Sequence, residues 1–313
     1  MRKTACFIFL FIVISLSCKA QTIFPLDTIP FEIGPDKRIY VTTFINEKNN
    51  RPLRFLVDTG ATDVVINSNS PRTEGLAIFD HSVSNNSANS VEVISATDTS
   101  QKVKIGKQTV SNLKLISIPY PPDAWDGVLG LSFLKNFDVF IDYKNKFILL
   151  YKCGSGGSLI SREHEKLKIE YRMGVPVVNM NICINGKLFP ASVEIDTGSD
   201  RILDLNTPFI EKNNLMGTKE PFAISTITGT TLDNGKLYNV FFDYIKIGNI
   251  ILPRIPGAFS TVKTGVQSSN EMDGVMGNNL LHRFNQIYDF KNNVLYLEVN
   301  DRLYTPFYDF LVH

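Results

Sequence analysis

Cysteine is scarce in this chain of 313 residues: Cys6, Cys18, Cys153 and Cys183 are too few and too scattered for a disulfide scaffold or a zinc site. Net charge is nearly absent as well. The balance of 32 Lys+Arg against 31 Asp+Glu is +1, which leaves no surplus of cations to neutralise phosphates and argues against nucleic acid as a partner. No segment is a membrane span, since the apolar run Phe7 to Ile14 falls far short of the ~20 residues needed to cross a bilayer. His81, His164 and His313 have no partners at metal-ligand spacing, so neither a metal nor a cofactor is expected. No Ser-His-Asp or Cys-His constellation and no phosphate loop is legible. What remains is ordinary globular composition, 20% charged and 11% aromatic, which excludes a disordered coil. The length suits about two domains of roughly 150 residues each.

The N-terminus reads as an export signal over residues 1–20. Arg2 and Lys3 precede the apolar run, and Ser15-Leu16-Ser17-Cys18-Lys19-Ala20-Gln21 supplies small residues at its exit. Two exits are open. Cleavage after Ala20 frees a soluble chain for a periplasm, cell envelope or the medium. Cleavage after Ser17 with lipidation of Cys18 resembles a bacterial lipoprotein and is the only route to a membrane, although Ser15 stands where such signals carry an aliphatic residue. In an oxidising compartment Cys153 and Cys183 can pair or remain free thiols.

The rest of the chain repeats itself. Phe55-Leu56-Val57-Asp58-Thr59-Gly60-Ala61 returns as Val193-Glu194-Ile195-Asp196-Thr197-Gly198-Ser199, an offset of 138 residues. Val103-Lys104-Ile105-Gly106 returns around Ile245-Lys246-Ile247-Gly248, and Asp126-Gly127-Val128-Leu129-Gly130 as Asp273-Gly274-Val275-Met276-Gly277. Phe137 to Lys146 is answered by Phe284 to Asn293. Four landmarks in one order mark an internal duplication. The break Cys153-Gly154-Ser155-Gly156-Gly157-Ser158 is flexible in composition, so the lobes are read as 21–153 and 159–313 around a linker at 154–158.

Both copies carry β signals. Arg38 to Phe44, Leu53 to Val57, Val64 to Asn67, Val177 to Ile184 and Val294 to Val299 mix β-branched and aromatic residues between Asn, Gly or Pro. Asn49-Asn50, Asn185-Gly186 and Asn292-Asn293 are turn chemistry. Helical patterns are brief, at Ser132 to Asn136, Pro208 to Asn214 and Asn279 to Arg283. An all-β protein of two lobes is expected.

An Asp after an apolar strand, followed by Thr-Gly, sits on a loop leaving that strand. The Gly permits a tight turn and lets a backbone N–H approach the carboxylate, and the Thr hydroxyl can lock the loop. One such Asp is usually a turn residue. Two in a duplicated chain can meet across a pseudo-two-fold axis, where they hold one proton between them. The charged member can then take a proton from water while the other donates to a carbonyl oxygen, which hydrolyses an amide without metal or covalent intermediate.

At these residues the chain resembles the pepsin and retropepsin superfamily of aspartic peptidases, and within it the bacterial retropepsin-like peptidases with two fused copies. Asp58-Thr59-Gly60-Ala61 is similar to the retroviral motif and Asp196-Thr197-Gly198-Ser199 to the pepsin form. Val128-Leu129-Gly130 and Val275-Met276-Gly277 resemble the strand that crosses beneath each catalytic loop. The resemblance implies a bilobal pepsin-like fold of two retropepsin-like β-barrel lobes, with Asp58 and Asp196 as the dyad. It implies that Thr59 and Thr197 interlock, and that Gly60 and Gly198 bond the carboxylates. A single chain then needs no dimer, and its partner is a polypeptide substrate held as an added strand. Flap hairpins are expected near Val91 to Val103, with Ala96-Thr97-Asp98 as tip, and near Ile224 to Val240, with Thr228-Gly229-Thr230 as tip. A flap Tyr is missing, because the single Tyr between Asp58 and Asp126 is Tyr120, late in the lobe.

Other residues read more plainly. His282 matches Lys135 and is expected to be exposed. Asp142 and Asp289 precede Lys-Asn turns, and Asp126 and Asp273 adjoin core strands. Two rivals to an endopeptidase are a catalytically silent peptide-binding protein of the same fold and a duplicated β-sandwich envelope module. The second leaves both Asp-Thr-Gly copies unexplained. Ser199 can donate a hydrogen bond to a carboxylate and Ala61 cannot, which predicts a less acidic activity optimum than for a dyad with two such hydroxyls. A pH–rate profile peaking well below about pH 3 would contradict this.

Overall fold

The computed structural model describes residues 23–47, 51–88, 90–160, 163–228 and 234–307. The expected signal segment with Cys18 and Ala20, the Asn49-Asn50 turn, Gly229-Thr230 and His313 lie outside these residues. Among the described residues no helix is long and apolar enough to cross a membrane.

The all-β expectation holds, and the duplication is visible strand for strand. Two sheets of ten strands share one order, and a six-stranded sheet joins them. That joining sheet takes three strands from each half: Asp27–Pro30, Phe147–Tyr151 and Asp138–Asp142 meet Phe284–Asp289, Val294–Val299 and Glu165–Lys168. Its central pair is antiparallel, with Val139 opposite Tyr288 and Ile141 opposite Gln286. Apolar side chains from both halves merge into one continuous core that includes Val57, Phe133, Tyr143, Ile195, Tyr288 and Leu297. Burying each large apolar side chain contributes about 1.5–3 kcal/mol.

Each ten-stranded sheet contains the arrangement that positions a carboxylate. Leu53–Val57 runs into the Asp58 loop and Val64–Asn67 leaves it. These arms do not pair with each other. Gly127–Leu129 lies between them, parallel to the first and antiparallel to the second. In the second half Gly274–Gly277 lies likewise between Lys187–Asp196 and Leu203–Leu205. A strand bonded on both sides closes the gap beneath the loop and leaves few backbone groups unpaired there. Asp126 and Asp273 accept from the backbone N–H of Arg54 and Ser192 at 2.7 and 2.8 Å, which fixes the start of each inserted strand. Asp142 and Asp289 hold their turns by accepting from Asn145 and Asn292.

Three expectations need correction. The first hairpin comes earlier than Val91 to Val103: it pairs His81–Asn86 with Val91–Ala96, and Thr97 and Asp98 lie at its base. Its first strand, His-Ser-Val-Ser-Asn-Asn, is mostly exposed and so carries almost no apolar signal. His282 is buried, because the chain after Val299 folds back over it; Asn300 donates to its carbonyl and the Tyr143 ring packs edge-on against it. Lys135 has no such cover and is exposed. Burial pushes the His282 imidazole down to about 4. The segment Gly156–Ser158, read as flexible, forms a 3₁₀ turn in which the buried Gly156 donates to Asp138 at 2.7 Å. Cys153 and Cys183 are both free thiols.

Leu150 is fully buried on the strand that bonds both Asp27–Pro30 and Asp138–Asp142. Leu150→Ala is expected to lower stability by about 2–5 kcal/mol, read from urea unfolding.

Candidate active site

The two Asp-Thr-Gly loops meet at the junction of the halves. Thr59 donates from Oγ1 to the carbonyl of Ile195 at 2.6 Å, and Thr197 Oγ1 to that of Val57 at 2.9 Å. Each hydroxyl also accepts the other threonine's backbone N–H, both at 3.1 Å. Both side chains are buried, so these four bonds form without competing water.

The same symmetry organises the carboxylates. Asp58 Oδ1 accepts from the N–H of Gly60 at 2.7 Å and of Ala61 at 3.0 Å. Asp196 Oδ1 accepts from Gly198 at 2.8 Å and Ser199 at 3.0 Å. The remaining contact is between the two carboxyl groups, which hydrogen-bond each other. Glycine is needed on both loops for steric reasons. A Cβ on Gly198 would lie 2.2 Å from Asp58 Cγ, and one on Gly60 would lie 2.7 Å from Asp196 Cγ.

The two carboxyl groups are not electrostatically equivalent. Burial raises both above the usual range, and each deprotonation disfavours the other. Asp196 is pushed well up, first by burial, then by the charge of Asp58 and of Glu194. Asp58 rises less, because Asp196 and two amides bond it and the Arg38 guanidinium lies nearby. These surroundings favour the charge on Asp58 and the proton on Asp196, within a pair that titrates as one unit. The Ser199 hydroxyl has no part in this: its Oγ accepts from the N–H of Arg201 at 3.2 Å, and only its amide reaches Asp196. Ala61 supplies an equal amide, so the asymmetry expected from these two residues arises elsewhere.

Three residues join the site that sequence reasoning missed. Arg38 donates across the halves to the carbonyl of Gly198 at 3.1 Å, pairs with Asp36 at 2.8 Å and lies over the Trp125 ring. Nothing in its local sequence announces this. Tyr120 lies outside both hairpins, yet it packs on Trp125 with ring centroids 5.2 Å apart. Burial and then the field of Asp58 raise its phenol. Glu194 is 5% exposed and its Oε1 would lie 2.9 Å from a Cβ on Gly60. A signal for it existed: an acidic residue stands where the first copy has Leu56, between apolar neighbours on a buried strand.

The hairpin His81–Asn86/Val91–Ala96 reaches across to the second half. The Ser87 and Ala88 carbonyls at its tip accept from the N–H groups of Val266 and Gln267 at 2.9 and 3.1 Å. The second hairpin pairs Ala223–Thr228 with Asn234–Phe241. Among the described residues no group of three metal-ligating side chains comes together.

Residues 46–136, which include the first Asp-Thr-Gly, match the family described as "gag-polyprotein putative aspartyl protease". Among 397 solved chains that match is the aspartic proteinase from Irpex lacteus. It is 12% identical, with a TM-score of 0.56 over 89% of this chain and 98% of that one. No curated protein sequence matches the chain. The fold is thus the bilobal pepsin-like one, and motif and fold together support the pepsin and retropepsin superfamily read from the sequence.

Glu194 offers a pH test. Burial, then Asp58, raises its carboxyl from 4.5 to about 8. The folded protein therefore binds this proton more tightly than the unfolded chain, and stability is fully present below about pH 4.5 and lost as pH rises towards 8. Denaturant midpoints measured across that window are expected to fall with pH. Glu194→Gln is expected to flatten the slope, and an unchanged slope would count against the buried acid.

Proposed function

We propose that the protein is an aspartic endopeptidase acting on extended polypeptides held between its lobes. The observation that carries this reading is the pair of mutually hydrogen-bonded carboxyl groups, Asp58 and Asp196, each further held only by two loop amides. A turn aspartate would have its acceptors used up by its own loop; these two keep one face for each other and for a third group.

A water between them would be oriented by both. As its oxygen attacks the peptide carbonyl carbon, Asp58 takes its proton and Asp196 gives its proton to the carbonyl oxygen, forming a gem-diol. On collapse the C–N bond breaks, the proton on Asp58 passes to the leaving nitrogen, and a gem-diol hydroxyl returns a proton to Asp196. The starting protonation is restored. Desolvation beneath the hairpin supports this exchange by keeping one proton on the pair at mildly acidic pH. The first hairpin, tied at its tip to the second lobe, would have to release the bonds from Ser87 and Ala88 to admit a chain.

The lobes in this reading are residues 21–153 and 159–313. The chain is exported on its N-terminal signal to a periplasm, cell envelope or medium, anchored only if Cys18 is lipidated, and works as a monomer without cofactor. The other reading, a catalytically silent peptide binder, keeps the cleft and loses turnover.

Cleavage of a peptide library across pH separates them. The wild type is expected to cleave, and Asp58→Asn and Asp196→Asn to lose at least about 100-fold in kcat/KM. Cleavage persisting in either variant would rule out the dyad, and peptide binding without cleavage at any pH would favour the silent reading.

A further inference from the structure

The hydrophobic layer beneath the first hairpin is not repeated in the second lobe. Leu56, Val65 and Ala96 belong to an apolar cluster on the face of the first sheet that also carries Asp58. The ladder registers place Glu194, Asp204 and Asn239 at the equivalent points of the second sheet. Two of these satisfy each other's neighbourhood. Asp204 accepts from Arg201 Nε at 3.0 Å and from Gln267 at 3.4 Å, and Arg201 donates onward to Asn239 at 2.9 Å. Glu194 stands outside this network. Its carboxyl has no hydrogen bond or ion pair to any described residue, although the residue is only 5% exposed.

A lone carboxyl buried beside two others is expensive unless something arrives to pair with it. Side chains two apart on a strand share a face at a spacing of about 6.6 Å. Glu194 thus stands one such step from Asp196, the spacing between alternate residues of an extended chain laid along the site. Its Oε1 faces Gly60, on the loop that holds Asp58, and not the core, where Val193 and Ile195 point. Among the described residues no cation pairs with it, and the charge that acts on it is that of Asp58.

We propose that Glu194 is a specificity-determining residue, and that it receives a lysine or arginine side chain of the bound polypeptide beside the scissile bond. The inference rests on the peptidase reading of the same site. A bound ammonium or guanidinium would ionise Glu194 and supply the partner it lacks, while the apolar layer around Leu56 receives an uncharged side chain across the bond. The cleft then prefers a peptide that is basic on one side and apolar on the other.

The test compares peptides that differ only by lysine against norleucine at each position flanking the bond, in the wild type, Glu194→Gln and Glu194→Leu. Leucine is the residue of the first copy, so a second fold-compatible variant is at hand. At one position the wild type is expected to prefer lysine by about tenfold or more in kcat/KM, and both variants to fall within about twofold of parity. The ratio is read within each protein, so a general change in activity cancels. A ratio unchanged in the variants, or no position at which lysine is preferred, would overturn the proposal. A shift of the pH profile that leaves the ratio intact would do the same, assigning Glu194 to the dyad's proton balance. If the wild type cleaves nothing, the peptidase reading fails separately, and the same lysine-to-norleucine ratio is read as Kd by fluorescence anisotropy. A lysine preference lost in both variants then supports the assignment, and equal affinities overturn it.

Discussion

The structure depends on four hydrogen bonds that Thr59 and Thr197 make across the halves, two to each other and two to the carbonyls of Ile195 and Val57. Each threonine hydroxyl donates to the strand of the opposite half and accepts from the opposite threonine, so neither loop can settle without the other. Because the grip is buried, losing one partner leaves polar groups unsatisfied at about 1–3 kcal/mol each. The carboxylates are carried by the residue just before each threonine, and the grip is what forces them within hydrogen-bond reach despite their mutual repulsion. The inserted strands beneath, Gly127–Leu129 and Gly274–Gly277, and the shared six-stranded sheet make the platform rigid enough to hold that conflict.

On this symmetric platform the charges are distributed unequally. Arg38 reaches from the first half to the Gly198 carbonyl and stabilises charge on Asp58. Glu194 places a third buried carboxyl beside Asp196, and any charge on it would further favour a proton on Asp196. A dyad of two identical loops would have no preferred microstate. Here the surroundings choose one, with a cation supplied to one side and a third acid to the other. The duplication built the geometry; the divergence of a few residues around it set the electrostatics.

Much of this is legible in the residue order. The repeat of Asp-Thr-Gly with its later Asp-Gly landmarks implied two equivalent lobes, and the strands Leu53–Val57 and Val64–Asn67 were read at their true bounds. The first hairpin was misplaced because its leading strand is polar and exposed, and periodicity reports burial rather than hydrogen bonding. His282 was misread because its copy, Lys135, lacks the C-terminal turn Asp301–Tyr304 and the chain around it, and cover by a distant segment leaves no local trace. The Ser199 hydroxyl accepts from the Arg201 amide, and the bond from this residue to Asp196 comes from its own amide.

The chain's pattern alone determined the all-β class, the duplication and the two aspartates, because each depends on local alternation of apolar residues or on a short motif repeated in order. Tertiary structure alone decided which partner each group found: Arg38 on the opposite loop, the hairpin tip on Val266 and Gln267, Ser199 turned to Arg201, and Glu194 without a cation among the described residues. Such pairings join residues far apart in sequence, and their energies depend on distance and exclusion of water, neither of which is written in residue order.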